Sequence, residues 1–215
     1  INMSLGATLQ RRGLYDEDGN KIANANEIAE RVNALKKVIN YVASNGTLVV
    51  TSAGNESQDS TGDAGLIHLP SDAGNTISVS ATGPLGWFFD SSTDLDVPAF
   101  YTNYGTAIYL AAPGGNVDFS LVPEGPWFFD LVLSTSTVYD DDLEAYVPAY
   151  VWMAGTSMAS PHVAGVAALI IDAHDGDITP SQVEAILRQS ADDLGKPGRD
   201  EWYGHGRINA AAAVQ

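Results

Sequence analysis

The spacing of apolar residues along the chain predicts three helices. Between residues 26 and 44 apolar side chains recur every three or four positions, which is the pattern of an amphipathic helix. A second helix is expected from about Thr156 to His174, where residues 163–171 leave no polar face, so we expect it to be central and buried. A third begins at Pro180, with Thr179 and Gln182 as the two halves of a capping box.

Three apolar segments with few charges predict strands at residues 47–53, 77–81 and 107–111. A β-branched, uncharged strand is typical of a parallel sheet that is covered on both faces. Strands and helices alternate, which indicates an α/β fold of three layers, a mainly parallel sheet flanked by helices. No internal repeat or linker divides residues 1–215, so the chain is interpreted as a single domain.

The first six residues are predicted to form a strand that runs into a loop. Neither an initiator Met nor a signal peptide precedes them. We therefore expect the chain to be one part of a longer protein, and its domain to be incomplete at the amino-terminal side.

Composition narrows the possible partners. Acidic residues outnumber basic ones by 27 to 10, and the net charge of −17 argues against binding to nucleic acids or anionic membranes. No apolar run approaches the roughly 20 residues that span a bilayer. The chain has no cysteine, which excludes disulfides, thiol catalysis and zinc sites with Cys ligands.

Residues 155–165 read Gly-Thr-Ser-Met-Ala-Ser-Pro-His-Val-Ala-Gly and contain the first candidate catalytic residue, Ser157. The Gly-Thr turn delivers Ser157 to the start of the second predicted helix. Unpaired N–H groups and the positive end of the helix dipole face outward there, so a nucleophile has oxyanion donors beside it. The alternative is that Ser157 only caps a core helix.

The second candidate is Asn55, which follows Ala53 and Gly54 at the end of the strand predicted at residues 47–53. Open α/β sheets place their sites beyond the carboxyl ends of the strands. An Asn amide is a neutral double donor, suited to an oxyanion that exists only transiently. The alternative is that Asn55 is merely a turn residue after Gly54.

Taken together, these segments resemble the subtilisin-like serine proteases, the subtilases. Residues 155–165 match the family's nucleophile signature, and residues 53–55 match its oxyanion segment. Three further segments are similar to the family and occur in family order. They are the strand at residues 1–6, which ends in Ser-Leu-Gly, the strand end at residues 111–114 and the closing turn at residues 204–209.

The resemblance implies a function and roles for single residues. It implies a serine endopeptidase that cleaves protein or peptide substrates through an acyl-enzyme, with Ser157 as nucleophile and Asn55 as oxyanion donor. It also implies substrate-binding residues, with the substrate added as a strand beside the first three. These residues are Ser4, Leu5, Gly6, Ala53 and Gly54.

The chain departs from the family at the other two triad members. The triad order along a subtilase is Asp, His, Ser, and neither the Asp strand nor the His segment is found here. Residues 59–62, Asp-Ser-Thr-Gly, resemble the Asp motif superficially but do not end an apolar strand. We expect Asp and His to come from the missing upstream part, which is thus a partner of this chain, and the chain alone to be inactive.

None of the four histidines is expected to act as the base. His162 lies five residues beyond Ser157 on the same helix, about 500° around its axis, and so faces away. His68 is predicted in a loop, His174 at a helix end and His205 in the closing turn.

Two alternatives to the endopeptidase remain open. One is a binding module or pseudoprotease that keeps the subtilase fold without a complete triad. The other is a subtilase that acts as an exopeptidase or on a single processing site. Secretion, or another extracytoplasmic location, is expected for any of these.

The chemistry needs no cofactor, although the family resemblance makes Ca²⁺ a possible structural ion. Residues 16–20 with Glu27 resemble a calcium loop, but the Gly needed at its sixth position is Lys21, so a solvated turn is favoured. Residues 140–142 with Glu144 are also interpreted as a solvated loop. No metal-binding residue is therefore predicted.

Two aromatic triplets, residues 87–89 and 127–129, each precede an Asp in a long loop. They are interpreted either as satellites of the core under these loops or as a surface for a missing domain or partner.

Overall fold

The computed structural model describes residues 1–61, 65–122 and 125–215. Its helices are α1 (Ala25–Ser44), α2 (Thr156–Ala173), α3 (Pro180–Ser190) and α4 (Ala210–Ala213). Its strands are β1 (Asn2–Met3), β2 (Ala7–Gln10), β3 (Gly13–Tyr15), β4 (Lys21–Asn24), β5 (Val50–Ser52), β6 (Leu66–Leu69), β7 (Ile77–Thr82), β8 (Leu110–Pro113), β9 (Val132–Asp140) and β10 (Ala145–Met153).

The centre of the fold is a four-stranded parallel sheet in the order β1-β5-β7-β8. Every residue of β7 is buried, which requires that both faces of the sheet be covered. The α/β prediction with a mainly parallel sheet flanked by helices is thus confirmed. Because all four strands run in the same direction, their carboxyl ends meet at one edge of the sheet.

Two of the predicted strands have different bounds from those expected. Of the segment 47–53 only β5 forms a strand, because β1, one of its two neighbours, is only two residues long. Beyond the end of β5, Ala53 N–H still donates to Val79 O at 3.0 Å. The strand expected at residues 107–111 begins at Leu110. Ile108 N–H donates to Gly105 O at 3.2 Å and thereby closes a turn just before it.

The main core lies between the sheet and α2, with α3 packed outside α2. Val79, Val163 and Ile170 are completely buried within it. The capping box that was predicted for α3 is present, with Gln182 N–H donating to Thr179 Oγ1.

The prediction that α2 is buried all round is wrong. One face packs on the sheet, but Leu169 is 50% exposed and Ile171 is 40% exposed. Pro161 and Gly165 are exposed as well. An apolar face of a central helix is therefore open to solvent in this chain.

A second, smaller core was not anticipated. Here β2 pairs with β6 and β3 with β4, both antiparallel, and these ribbons pack against α1. Ala23, Ile28, Val32 and Ile67 form its centre. The ribbons matter for the site because β2 directly follows residues 4–6.

The acidic loops are turns whose carboxylates cap backbone groups. Asp16 Oδ1 accepts the N–H of Asn20 at 2.7 Å, and the side-chain bond from Asn20 lowers the pKa of Asp16. Asp140 Oδ1 accepts the N–H groups of Asp142 and Leu143 at the tip of the β9–β10 hairpin. Within the described ranges, no group of three or more His, Asp and Glu side chains is arranged to hold a metal ion.

The two aromatic triplets contact one another but belong to neither buried core, and Trp87, Phe88 and Phe89 are 39%, 53% and 50% exposed. Phe88 stacks on Phe129 at 5.3 Å between ring centroids, and Trp152 of β10 packs edge-on against Phe129 at 5.4 Å. The buried Asp130 accepts the N–H groups of Gly86 and Trp87 at 2.6 and 2.9 Å. These contacts join the hairpin to the loop before residue 90.

Candidate active site

Ser157 lies in the first turn of α2, at the carboxyl edge of the parallel sheet. Gly155 N–H donates to Gly114 O at 2.9 Å, which anchors the start of α2 to the residue that follows β8. A Cβ at Gly114 would lie 2.9 Å from Gly155 O and 3.3 Å from the Ala159 Cβ. Only glycine at position 114 therefore permits this close approach.

The buried Tyr101 supports the same junction. Its hydroxyl lies 2.9 Å from Gly114 O and 2.6 Å from Gly115 O, within hydrogen-bond distance of both. Burial raises the pKa of Tyr101 above its usual range, so the phenol remains a donor. The loop behind Ser157 is thus held from two sides.

The orientation of Asn55 is fixed by Thr156. The backbone N–H and the hydroxyl of Thr156 both donate to Asn55 Oδ1, each at 2.9 Å. The same hydroxyl accepts the N–H of Gly54 at 3.1 Å. Thr156 is completely buried, and with two donors on Oδ1 the amide nitrogen of Asn55 is turned the other way.

The free donors of Asn55 and Ser157 lie around one point. Asn55 Nδ2 is 3.7 Å from the position that a Cβ on Gly155 would take, and Ser157 N is 3.6 Å from it. Neither nitrogen donates to any group in the part of the chain that the structure describes. Two unused N–H donors that converge beside a hydroxyl are the arrangement that stabilises a developing oxyanion.

Asn103 holds the Asn55 segment from behind, a role that sequence reasoning missed. Its Nδ2 donates to Ala53 O at 2.9 Å, and its Oδ1 accepts the N–H groups of Glu56 and Gln58 at 3.1 and 2.9 Å. It is 4% exposed. The sequence offers no signal for this, because Asn103 lies in an irregular segment 47 residues beyond Glu56. Gly54 has a φ of +105° within the same segment, which favours glycine there.

The predicted substrate-binding strand lies on the other side of Ser157. Ser4 Oγ donates to Ser157 O at 2.8 Å, and Ser157 Oγ donates to Ser4 O at 3.4 Å. Leu5 is 59% exposed, and Gly6 is also exposed. The structure therefore places Ser4 against Ser157, and Gly54 and Asn55 against the neighbouring Thr156, while the substrate-binding roles of Leu5, Gly6 and Ala53 stay predictions.

The histidines do not complete a triad with Ser157. Across residues 1–61, 65–122 and 125–215, none of them is hydrogen-bonded to the Ser157 hydroxyl. The rings of His162 and His174 are each bonded through Nδ1 to a carbonyl one turn earlier on α2, at 2.8 Å. His205 packs edge-on against Tyr109, and burial lowers its pKa.

His68 is in strand β6, so its predicted place in a loop is wrong. It is buried and lies behind residues 6 and 54. The Asp motif at residues 59–62 is described only in part. Thr61 N–H donates to Asp59 Oδ1 in a turn, and Gly62 lies outside the described residues.

An apolar groove of about 460 Å³ opens beside Ser157, between β9 and the exposed face of α2. Its walls are mainly apolar and include Val132, Leu133, Met158, Pro161 and Leu169. Ser157 lies at its edge. β1 is an edge strand of the parallel sheet. Among the described strands it pairs only with β5, and no described strand pairs with its other edge.

Comparison with protein families gives one clear match. The sequence model of the subtilase family, peptidase S8, matches residues 1–206. In the described ranges, no helix combines the length and apolar character that a membrane crossing needs.

Curated relatives and solved structures agree with this match. The extracellular protease of Xanthomonas campestris is 34% identical over 181 residues, which are 84% of this chain and 25% of the relative. Subtilisin E of Bacillus subtilis is 33% identical over 182 residues, 85% of this chain and 37% of that protein. The crystal structure of a lanthipeptide protease, 31% identical, superposes with a TM-score of 0.73 over 100% of this chain and 60% of its own. The chain thus spans between a quarter and two fifths of these curated relatives.

We predict that Thr156→Val destabilises the fold by about 1–3 kcal/mol, because the buried N–H of Gly54 loses its acceptor while the side-chain volume is kept. The free energy of unfolding from urea titration measures this. Thr156→Ser, which keeps the hydroxyl, is the matched control and should recover most of the loss. A Val variant as stable as the wild type would show that the hydroxyl contributes nothing to the junction.

Proposed function

The chain belongs to the subtilase family, and we propose that in the full-length protein it is the part of a serine endopeptidase that carries the nucleophile Ser157. The observation that carries the proposal is the pair of bonds from Thr156 to Asn55 Oδ1, which leaves Asn55 Nδ2 and Ser157 N free beside the Ser157 hydroxyl.

In the proposed reaction the Ser157 hydroxyl attacks a peptide carbonyl while a histidine takes its proton. The carbonyl oxygen becomes an oxyanion and accepts hydrogen bonds from Asn55 Nδ2 and Ser157 N–H. The amine then leaves with the proton returned by the histidine, and water releases the acyl group from Ser157 in the same manner. These groups suffice for acyl transfer without a cofactor, and no residue of this chain is assigned to a structural Ca²⁺.

The histidine and its aspartate are proposed to come from an upstream part of the same protein. Three observations support this. No histidine of the described residues bonds to Ser157, the chain spans only 25% and 37% of two curated relatives, and the apolar face of α2 is open beside Ser157. A segment that covered Leu169 and Pro161 would bury this face and could bring a histidine to the edge of the groove.

Substrates are proposed to be proteins or peptides bound in an extended conformation. Their backbone would pair with Ser4, Leu5 and Gly6, whose exposed segment continues from β1. Ala53 and Gly54 would form the opposite side. An extracytoplasmic location is consistent with the name of the Xanthomonas relative, an extracellular protease.

We predict that a fluorophosphonate probe labels Ser157 in the full-length protein and that Ser157→Ala abolishes labelling and peptide cleavage. Mass spectrometry of the labelled peptide identifies the serine. Ser160→Ala is a control on the same helix, since Ser160 Oγ is buried and bonded to Ser4 Oγ. The Ser160→Ala variant should still be labelled at Ser157.

Two outcomes of this experiment would contradict the proposal. Label on another serine would refute the assignment of the nucleophile, and a correctly folded protein that neither reacts nor cleaves would favour the binding-module alternative.

Residues 1–215 alone should show no turnover, because no base is placed to take the Ser157 proton. Robust turnover by this chain would mean that one of its own histidines acts as the base.

We predict that Asn55→Ala lowers kcat by about 10²–10³ with little change in KM, a range that comes from removal of the corresponding donor in subtilisin itself. The bond forms only when the carbonyl oxygen becomes negative, so its loss affects the transition state more than substrate binding. Steady-state kinetics on a peptide amide give both constants. If Asn55 is only a turn residue, the variant will instead lose thermal stability and keep its kcat.

A further inference from the structure

His68 is a buried side chain that the proposed reaction does not use. It is 7% exposed, and its Nε2 atom has no hydrogen-bond partner among the described residues. A buried polar atom without a partner is unusual and costs stability, so its position calls for a physical reason.

The imidazole lies between the two backbone segments that flank Ser157. A Cβ added to Gly54 would meet the side chains of Asn103 and Glu56 and would also lie 2.7 Å from His68 Cε1, and a Cβ added to Gly6 would overlap His68 Nε2. Side-chain directions from both segments thus converge on one ring. The imidazole therefore occupies space between Gly6 and Gly54.

The ring is held firmly in this position. Thr8 faces His68 across the β2–β6 ribbon, and its hydroxyl is 2.8 Å from His68 Nδ1. The carboxylate of Glu56 is 3.6 Å from the same nitrogen, and the backbone N–H of His68 donates to Asp72 Oδ2 at 2.8 Å. Rotation of the ring out of the space would break the contacts at Nδ1.

The space between the segments is where one substrate side chain must go. In the proposed reaction Ser157 attacks the carbonyl of the residue that precedes the scissile bond, and that carbonyl oxygen faces Asn55. The backbone of the same residue lies along Ser4–Gly6, so its side chain enters between the two segments. The imidazole of His68 between these segments therefore limits the length of that side chain.

We propose that His68 is a specificity-determining residue that limits the substrate position before the scissile bond to short side chains, namely Gly, Ala and Ser. The inference rests on the proposed endopeptidase function and adds its substrate class. Longer side chains such as Leu and Phe would meet the ring.

The surroundings of His68 also indicate what its removal would do. A small cavity of about 20 Å³ lies behind the ring, lined in part by Ala53, Asn103 and Ile108. Loss of the imidazole would join this cavity to the space between the segments. The site would then be long enough for a larger apolar side chain.

The test uses the full-length protein and peptide anilides that differ only in the residue before the scissile bond, which is Ala, Ser, Leu or Phe. For the wild type we expect kcat/KM to be at least about tenfold higher with Ala than with Phe. His68→Ala should raise kcat/KM for Leu and Phe by about tenfold or more. The ratio of kcat/KM for Phe to kcat/KM for Ala should rise accordingly.

Two further variants separate the size of the ring from other effects. His68→Gln keeps a side chain of similar length and should keep the preference for Ala over Phe. His174→Ala removes a histidine at the far end of α2 and should leave the whole ranking unchanged. If His68→Ala fails to fold, the role of His68 is still tested by whether the wild type and His68→Gln both cleave faster after Ala than after Phe.

The possible failures are distinguishable. A wild type that cleaves faster after Leu or Phe than after Ala, or a His68→Ala variant that is active with an unchanged ranking, would overturn the role of His68 alone. Absence of cleavage that depends on Ser157 with all four substrates would overturn the proposed function and, with it, this inference.

Discussion

The hydrogen bonds between Thr156 and Asn55 join two parts of the chain that are about a hundred residues apart, and the geometry of the site depends on them. They attach the first turn of α2 to the segment after β5. The backbone nitrogen and the hydroxyl oxygen of Thr156 are each 2.9 Å from Asn55 Oδ1. Because both donors use Oδ1, the Asn55 amide has one orientation. That orientation turns its nitrogen towards Ser157, so a buried structural contact also sets the direction of the proposed oxyanion donor.

The parallel sheet explains why these segments meet at all. Parallel strands bring their carboxyl ends to one edge, and the residues after β5 and β8 lie there with the start of α2. Gly114 lets α2 approach the end of β8, and Asn103 holds the segment after β5 through three hydrogen bonds to its backbone. The same packing leaves the outer face of α2 uncovered, although Leu169 and Ile171 are apolar. This exposed apolar face is the surface that the proposed upstream part would cover.

Local signals in the sequence predicted the elements whose form depends on neighbours along the chain. The capping box of Thr179 and Gln182 marked the start of α3, and the Gly-Thr turn before Ser157 marked the start of α2. Features that depend on distant contacts were missed. His68 was expected in a loop because its strand β6 exists only by pairing with β2, sixty residues earlier at Thr8. The hairpin was also missed: β9 is exposed at seven of its nine positions, and β10 carries apolar residues at its half-buried and exposed positions alike, so neither strand shows an apolar–polar alternation.

Asn55 Nδ2 and Ser157 N are proposed to act together on an oxyanion at Ser157. The most direct measurement is a crystal structure of the full-length protein after reaction with a fluorophosphonate, which leaves a tetrahedral phosphorus on the Ser157 hydroxyl. We expect one phosphonyl oxygen to lie about 2.7–3.1 Å from both nitrogens, with Asn55 Oδ1 still bonded to Thr156. An adduct whose oxygens contact neither Asn55 Nδ2 nor Ser157 N would contradict the proposed role of both donors.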